Sequence, residues 1–483
     1  MRKEAFDMRT ISTAFFVLLL ATFARAQQTW IKTYGGKHDD RGYSVQQTTD
    51  GGYIVAGYTY SFRDTILGDM YLVKTNASGD ILWTRTYGGT NVEMGYCVQQ
   101  TSDGGYIIAG QTASFGAGRN DVYLIKTNAS GDTTWTRTYG GIYDELSHSV
   151  QQTSDGGYII SGSTGSYGVG DGDVYLVKTN AAGDTLWTRT CGGTGDDYGY
   201  SVQQTSDGGY IVGGSTYIAG RNHDVYLIKT SASGDTLWTR TYGGTGEDIG
   251  YSVQQTTEGG YIIAGYSTSF KGGYAGVYVI KTNASGDTIW TRTYGGAYND
   301  YGYSARQTSD GGYIITGTTY SFGAGDYDAY LVRTNPSGDT LWTRTFGGIG
   351  MDVGYCVRQT TDGGYVIAGY TSPYGGGGAN DFDVYLIKTD ANGNAGVEEP
   401  AGRRQEAAGS LKATPNPFAS FTQIPDHETE RFNLYDISGK MVGAYRGDRI
   451  GEGLSPAVYF VKLEAEPGRS LRVVKAGTRG KYH

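Results

Sequence analysis

Short runs of apolar and β-branched residues, broken by turn residues, follow one another along most of the chain. In one representative stretch the runs cover residues 83–87, 95–101, 105–111 and 122–127. Runs of this length that are rich in Tyr, Ile, Val and Thr, and are bounded by Gly, Asn, Asp and Ser, are typical of β-strands joined by tight turns. No stretch shows the 3.6-residue period of an amphipathic helix. The pattern therefore predicts an all-β fold.

These four runs recur together as a unit, and the unit occurs seven times. The first run of each unit carries a tryptophan: Trp30, Trp83, Trp135, Trp187, Trp238, Trp290 and Trp342. The third run begins at the tyrosine of a recurrent Gly-Gly-Tyr: Tyr53, Tyr106, Tyr158, Tyr210, Tyr261, Tyr313 and Tyr365. Four antiparallel strands in each unit of about 50 residues are the signature of a β-propeller. We therefore predict a seven-bladed β-propeller over residues 27–390.

The first and last units indicate how the ring closes. The propeller region opens with a tryptophan run at Trp30–Tyr34 and ends with the fourth run at Tyr385, and no eighth tryptophan follows. If each blade starts with the second run at the axis, the last blade lacks its outer strand. We expect the N-terminal strand to supply it, since closure removes the exposed sheet edges of an open array.

Composition and charge exclude several classes of protein. The chain has 80 Gly and 43 Tyr among 483 residues and a formal net charge of -9, which becomes -13 over residues 27–390. This negative charge makes nucleic acid a poor partner. Cys97, Cys191 and Cys356 replace a repeated Ser or Tyr and show no metal or redox spacing, so we expect no disulfide framework and no metal centre.

The first 26 residues have the pattern of a secretory signal peptide. Arg2, Lys3 and Arg9 precede an apolar run over residues 11–23, and Ala24-Arg25-Ala26 offers small residues at a cleavage site. The apolar run is shorter than the ~20 residues that span a bilayer, which disfavours a membrane anchor. We expect an exported mature chain from residue 27 onward, with no membrane span.

Two motifs in the propeller region resemble known families. Ser130-Gly131-Asp132-Thr133-Thr134-Trp135 resembles the tryptophan-docking repeat of quinoprotein (PQQ) propellers. Thr101-Ser102-Asp103-Gly104-Gly105 is similar to an Asp-box. Both resemblances imply a propeller fold. Neither brings an active site with it, and we expect no cofactor.

The sequence changes character after the propeller. Residues 391–410 are polar and indicate a linker, and short alternating strands between Gly and Pro turns predict a small Ig-like β-sandwich over residues 411–476, before a tail at 477–483. Three blocks, at 413–418, 434–440 and 454–461, resemble the C-terminal sorting domain of type IX secretion cargo. The resemblance implies that the type IX secretion machinery is a partner, and that the product is secreted or attached to the outer-membrane surface.

The predicted strand directions place both tight hairpins of each blade on one face and the longer, more variable loops on the other. An aromatic residue recurs on the loop side: Phe62, Phe115, Tyr167, Tyr217, Phe270, Phe322 and Tyr374. A carboxylate recurs just before the second run: Asp40, Glu93, Glu145, Asp197, Asp248, Asp300 and Asp352. Aromatic rings beside carboxylates suit sugars, so these residues are candidate ligand-binding groups.

Structural roles for both sets are the alternative. The aromatic residues can pack between blades, and the carboxylates can form one ion pair per blade with the bases of the first run. These bases are Lys32, Arg85, Arg137, Arg189, Arg240, Arg292 and Arg344. Under that interpretation neither set contacts a ligand.

Three function hypotheses remain open at this point. A non-catalytic exported propeller that binds a glycan or a surface protein fits the near-identical repeats, because a catalytic site needs one asymmetric cluster. We find no catalytic motif and assign no catalytic residue. A secreted polysaccharide-active hydrolase is the alternative, and a quinoprotein oxidoreductase is the third hypothesis.

Overall fold

The computed structural model describes the repeat region and part of the C-terminal region. The described residues are 28–62, 67–220, 222–372, 381–396, 431–436, 441–446, 457–463 and 470–475. The predicted signal peptide, most of the predicted linker and the C-terminal tail lie outside them. No helix among the described residues combines the length and apolar character that a membrane crossing needs.

The repeat region forms seven four-stranded antiparallel sheets, which confirms the predicted seven-bladed propeller. The inner strands are Asp40–Gln47 (β2), Glu93–Gln100 (β6), Glu145–Gln152 (β10), Asp197–Gln204 (β14), Asp248–Gln255 (β18), Asp300–Gln307 (β22) and Asp352–Gln359 (β26). The second strands are Tyr53–Thr59 (β3), Tyr106–Thr112 (β7), Tyr158–Thr164 (β11), Tyr210–Tyr217 (β15), Tyr261–Ser267 (β19), Tyr313–Thr319 (β23) and Tyr365–Thr371 (β27).

The remaining two strands of each blade lie farther from the axis. The third strands are Asp69–Thr75 (β4), Asp121–Thr127 (β8), Asp173–Thr179 (β12), His223–Thr230 (β16), Gly276–Thr282 (β20), Asp328–Thr334 (β24) and Asp383–Thr389 (β28). The outer strands are Ile81–Tyr87 (β5), Thr133–Tyr139 (β9), Thr185–Cys191 (β13), Thr236–Tyr242 (β17), Thr288–Tyr294 (β21), Thr340–Phe346 (β25) and Trp30–Tyr34 (β1). We number the blades 1 to 7 from the sheet that begins with β2.

Strand β1 closes the ring as expected. It pairs antiparallel with β28, in a register that runs from Trp30 opposite Lys388 to Tyr34 opposite Val384. Blade 7 therefore contains the last three strands of the repeat region and the first one. Trp30, Ile31 and Tyr34 are buried in this position, so the strand is held by packing as well as by backbone pairing.

The tryptophan of each outer strand packs on the next blade. Each indole ring meets the ring of the Gly-Gly-Tyr tyrosine edge-on or tilted, as Trp30 does with Tyr53 at 5.6 Å and Trp187 with Tyr210 at 5.8 Å. Apolar residues of adjacent sheets fill the space behind these contacts, so the core lies between blades. This geometry agrees with the tryptophan-docking resemblance.

In every blade a buried base of the third strand pairs with an exposed carboxylate in the hairpin between the inner and second strands. In blade 3, Lys178 Nζ lies 2.9 Å from Asp155 Oδ2, and the lysine side chain is 4 % exposed. The other pairs are Lys74–Asp50, Lys126–Asp103, Lys229–Asp207, Lys281–Glu258, Arg333–Asp310 and Lys388–Asp362. Partial burial raises the pKa of Asp155, but hydrogen bonds from Thr153 and Lys178 outweigh it and bring the pKa to about 2.

The C-terminal region forms a separate compact unit, and the division between the two units falls at Ala401 and Gly402. Its described strands are Arg431–Asp436 (β29), Met441–Arg446 (β30), Ala457–Leu463 (β31) and Ser470–Lys475 (β32). They make one antiparallel sheet in the order β30-β29-β31-β32. This sheet is the part of the predicted sandwich that the described residues contain.

Candidate functional site

The two faces of the propeller differ in the connections that they carry, as the sequence predicts. The hairpins between inner and second strands and between third and outer strands are short and closed by backbone hydrogen bonds, for example Gly104 N to Thr101 O and Gly131 N to Asn128 O. We call the side that bears them the hairpin face. The connections between second and third strands, which are longer in six of the seven blades, and the five-residue connections from each outer strand to the next inner strand form the opposite side, which we call the loop face.

The recurrent aromatic residues lie on the loop face and are half-exposed. Phe62, Phe115, Tyr167, Tyr217, Phe270 and Phe322 are 44 to 52 % exposed, and Tyr374 lies outside the described residues. Phe62 packs on Tyr71 and Phe322 on Tyr330, in both cases within the same blade. Tyr167 also reaches the connection that arrives from blade 2, because its hydroxyl donates to Gly140 O at 2.9 Å. The rings therefore pack mainly within their own blade, and each keeps one side open to solvent.

The recurrent carboxylates lie beneath the loops. Asp40, Glu93, Glu145, Asp197, Asp248, Asp300 and Asp352 are no more than 1 % exposed. Each accepts a hydrogen bond of 2.6 to 2.8 Å from the backbone N–H of the glycine four residues earlier. Thr112 and Thr164 donate hydroxyl hydrogen bonds to Glu93 and Glu145. The carboxylates thus tie the loops to the second strands from inside, and they form no acidic ring at the surface.

The expected ion pairs between these carboxylates and the arginines of the outer strands are also wrong. The arginines instead reach an aspartate in the outer hairpin of the next blade, as in Arg85–Asp132 at 3.2 Å and Arg189–Asp235 at 3.2 Å. These arginines are more than a third exposed, so each pair contributes little to stability. The guanidinium groups also lie over their own tryptophan rings, for example Arg85 at 5.5 Å from the centre of Trp83.

A second carboxylate meets the first at most blade borders. The aspartate that opens the third strand of one blade and the carboxylate of the next inner strand flank the same glycine, as Asp121 and Glu145 flank Gly140. Burial raises the pKa of Asp121, and the charge of Glu145 raises it further. At the border of blades 5 and 6 this second position is Gly276, and Lys271 pairs with Asp300 at 2.6 Å.

A pocket of about 460 Å³ opens on the loop face at blade 3. We call it the blade 3 pocket. Its chemically distinctive lining residues are Tyr143, Tyr198, Asp144, Asp171 and Asp196. Tyr143 is 58 % exposed, and Asp144 and Asp171 are exposed as well. The pocket therefore offers aromatic surface together with several hydrogen-bond acceptors, which is a combination that suits a polyhydroxylated ligand.

The loops around this pocket are connected by hydrogen bonds. Asn120 Nδ2 donates to Asp144 Oδ1 at 2.7 Å, and the backbone N–H of Tyr143 donates to Ser166 Oγ at 2.9 Å. The N–H of Val169 donates to the buried Asp173 at 2.7 Å. These contacts hold the pocket walls in place before any ligand arrives.

The repeated sequence markers do not indicate this pocket, because they identify only residues that all copies share. Tyr143 stands where the other copies have His38, Asn91, Gly195, Gly246, Tyr298 or Gly350. The position varies from copy to copy and is tyrosine in two of them, so a search for variable loop positions, rather than shared ones, would have included it.

Fold and surface together define a seven-bladed β-propeller with an asymmetric loop face. Comparison with known proteins adds one partial sequence match and several structures of low sequence identity. The chain matches no known family profile. It is 26 % identical over 181 residues to the regulatory protein FlaEY of Caulobacter vibrioides, a match that covers 32 % of this chain and 19 % of that protein.

Several solved structures resemble the chain at low sequence identity. Puromycin hydrolase has a TM-score of 0.50 and 13 % identity, over 88 % of this chain and 59 % of that one. Sqt1 from Chaetomium thermophilum has a TM-score of 0.42 and 10 % identity, over 76 % of this chain and 99 % of that one. At 13 % identity, the likeness to puromycin hydrolase concerns the fold alone.

Proposed function

We propose that this chain is an exported, non-catalytic propeller that binds a neutral glycan in the blade 3 pocket. The observation that carries the proposal is the juxtaposition of exposed Tyr143 with Asp144, Asp171 and Asp196 in one pocket. A sugar ring has an apolar face that stacks on an aromatic ring and hydroxyl groups that donate to carboxylates. The volume of about 460 Å³ lies within the usual range for small-ligand sites.

The negative charge of the pocket and of the repeat region favours neutral glycans over acidic ones. Three carboxylates line the pocket, and the whole repeat region carries a formal charge of -13. A uronate or sulfate group in this position would be repelled, since the pocket lining contains no Lys or Arg. Neutral oligosaccharides are therefore the class of ligand that the pocket favours.

A glycan array probed with the purified full-length chain tests the proposal, followed by titration calorimetry with cellohexaose, xylohexaose and chitohexaose. We expect binding to at least one neutral oligosaccharide. Tyr143→Ala should weaken it at least tenfold, because the stacking surface is lost. Tyr298→Ala is the matched control, since Tyr298 occupies the equivalent loop of another blade and is 51 % exposed, but does not line this pocket.

Two results would contradict the proposal. The first is the absence of any neutral glycan ligand, and the second is an equal loss of binding in Tyr143→Ala and Tyr298→Ala. Release of reducing ends from a bound polysaccharide would favour the hydrolase alternative instead. In that case Asp144→Asn, Asp171→Asn and Asp196→Asn should lower the rate of hydrolysis to different extents, because a general acid, a nucleophile or base and a binding residue have different roles in the reaction.

Export is the second part of the proposal. It is supported by the signal-like first 26 residues and by the resemblance of residues 411–476 to type IX sorting domains. In a bacterium with a type IX system, the full chain should reach the medium or the cell surface, whereas a chain that ends at residue 410 should stay in the periplasm. Equal surface delivery of both chains would contradict the sorting role.

A further inference from the structure

The side chains of the inner strands line a cavity of about 270 Å³ on the propeller axis. An aromatic collar surrounds it on the side of the loop face. Its members are Tyr43, Tyr96, His148, Tyr200, Tyr251, Tyr303 and Tyr355, and neighbouring ring centres are 4.7 to 5.4 Å apart. Three residues farther along each strand, toward the hairpin face, a polar ring follows.

Five members of this polar ring are glutamines, and all five expose the same half of the amide. They are Gln46, Gln99, Gln151, Gln203 and Gln254. Each Oε1 accepts a hydrogen bond of 2.6 to 2.8 Å from a backbone N–H of the next blade. Because the oxygen is engaged with the strand, the NH₂ group is the part of each side chain left for the cavity. The glutamines therefore present donors.

Arginines occupy the other two positions of the ring, in adjacent blades 6 and 7. Arg306 Nη1 donates to Ala305 O at 2.7 Å, and Arg358 Nη1 donates to Val357 O at 3.1 Å. None of the residues that line the cavity is Asp or Glu. Enclosed guanidinium groups usually pair with carboxylates, and these two have no such partner in the cavity lining.

The two substitutions also release backbone donors. In the other blades a glutamine oxygen accepts from the N–H of the second Gln on the neighbouring inner strand. A guanidinium has no acceptor atom, so the N–H groups of Gln359 and Gln47 lack the glutamine oxygen that their counterparts have. Two guanidinium groups and two backbone N–H groups thus lie at one side of the ring.

The charge of the cavity is positive at neutral pH. Burial, and then the nearby charge of Arg358, lower the pKa of Arg306, but a guanidinium starts above 12 and stays protonated. Burial lowers the pKa of His148 to about 4 and raises the pKa of the Cys97 thiol, so both are neutral. The two arginines are therefore the charged groups of the lining.

We propose that the axial cavity binds an oxoanion, phosphate or sulfate, between Arg306 and Arg358. The planar guanidinium group matches the oxygens of such an anion, and the NH₂ groups of the glutamine ring complete its hydrogen bonds. A cavity of about 270 Å³ holds a volume of about nine water molecules, enough for the anion and part of its hydration shell. This site is separate from the blade 3 pocket, and neither proposal depends on the other.

Titration calorimetry of the full-length chain with inorganic phosphate and sulfate, at ionic strength fixed with sodium chloride, tests the site. We expect saturable binding with one anion per chain. Arg306→Gln and Arg358→Gln should each weaken it at least tenfold, and the double variant should abolish it. These substitutions introduce the residue that the other five blades use at this position, so the variants should fold.

The matched control removes the same charge from the outside of the propeller. Arg240→Gln with Arg292→Gln should leave anion binding unchanged, because these side chains are about 40 % exposed and lie on outer strands. A parallel titration with glucuronate distinguishes a free inorganic anion from a sugar-borne carboxylate, and binding of either through the two arginines would support the site. The absence of saturable binding in the unmodified chain, or unchanged binding in the double variant, would overturn it.

Discussion

Replacement of Trp30 by alanine should lower the free energy of unfolding by about 4 kcal/mol. Trp30 is 6 % exposed and packs edge-on against Tyr53 at 5.6 Å. Its ring lies over Gly79, whose φ of +79° and lack of a side chain allow this close approach. A buried aromatic side chain removes about 150–250 Å² from water, and Trp→Ala substitutions in cores cost about 3–5 kcal/mol.

The lost hydrogen bond adds a smaller amount. Trp30 Nε1 donates to Ala77 O at 3.1 Å, and such a bond contributes about 1 kcal/mol net. The effect should be measured by urea unfolding, followed by tyrosine and tryptophan fluorescence and by circular dichroism. Hydrogen exchange should show in addition that the amides of β1 and β28 lose protection together, since the two strands share one ladder.

Trp187→Ala is the matched control for this experiment. Trp187 makes the same contact to Tyr210 at 5.8 Å, but its strand is connected to its own blade by a hairpin. Both variants should therefore lose comparable stability. If Trp30→Ala leaves the unfolding free energy within about 0.5 kcal/mol of the unmodified chain while Trp187→Ala lowers it, closure of the ring by β1 is refuted.

Four further outcomes concern ion pairs, carboxylates and hydrogen bonds of the propeller. Asp155→Asn should cost about 1 kcal/mol, because it weakens the hydrogen bond that the 4 % exposed Lys178 donates while solvent already screens the 57 % exposed carboxylate; Lys178→Met should cost less, and urea titration checks both. The pKa of Asp155 is lowered to about 2, so its contribution is complete above the usual pKa of 3.8 and is lost as pH falls toward 2, which a Tm series in that window would show. The pKa of Asp121 is raised by burial and by Glu145, so its contribution is lost as pH rises through that pKa; Asp121→Asn should raise Tm at pH 7 more than at pH 4, and an equal gain at both would contradict this. Phe346→Tyr should gain about 1 kcal/mol, because the tyrosines at five equivalent positions donate to a hairpin carbonyl; no gain in unfolding free energy would argue against it.

The blade count, the strand order and the closing strand could all be predicted from the sequence. The reason is that each rests on a marker that every copy repeats, such as Trp83 and Tyr106 in the second unit. A residue that recurs with the period of the fold must have an equivalent environment in each copy. The starting point of the chain at Trp30 then fixes which strand is left to close the ring.

The partners of recurrent charges could not be predicted in this way. Asp132 and Glu93 both belong to sets that recur with the same period as Arg85, so spacing alone cannot tell which one the arginine meets. The structure shows the pair across the blade border, Arg85 with Asp132, and places Glu93 in a hydrogen-bond network with loop N–H groups and Thr112. Contacts between blades depend on how the sheets are rotated, which a linear repeat does not contain.

The candidate sites were the least predictable part for a related reason. The proposed glycan site depends on Tyr143, which stands at a position with no shared residue, and the proposed anion site depends on Arg306 and Arg358, which replace a glutamine that the other five copies share. Arg306 and Arg358 are separated by one whole unit in the sequence and become neighbours only when the blades are arranged around the axis. The repeat makes the scaffold predictable from the sequence, whereas both proposed sites depend on residues that the copies do not share.

Because Trp30 of β1 pairs with Lys388 of β28, the ring can close only after the last strand of the repeat region has been made. Local hairpins can form as soon as each unit is available, but the ladder between the first and the last strand joins the two most distant parts of the repeat region. Until residue 389 is present, β1 has no partner, and the sheet that it will join is unfinished. A chain interrupted anywhere in the seven units would therefore expose unpaired strand edges and be prone to aggregation. The closing strand therefore makes a stable ring possible only when all seven units have been made.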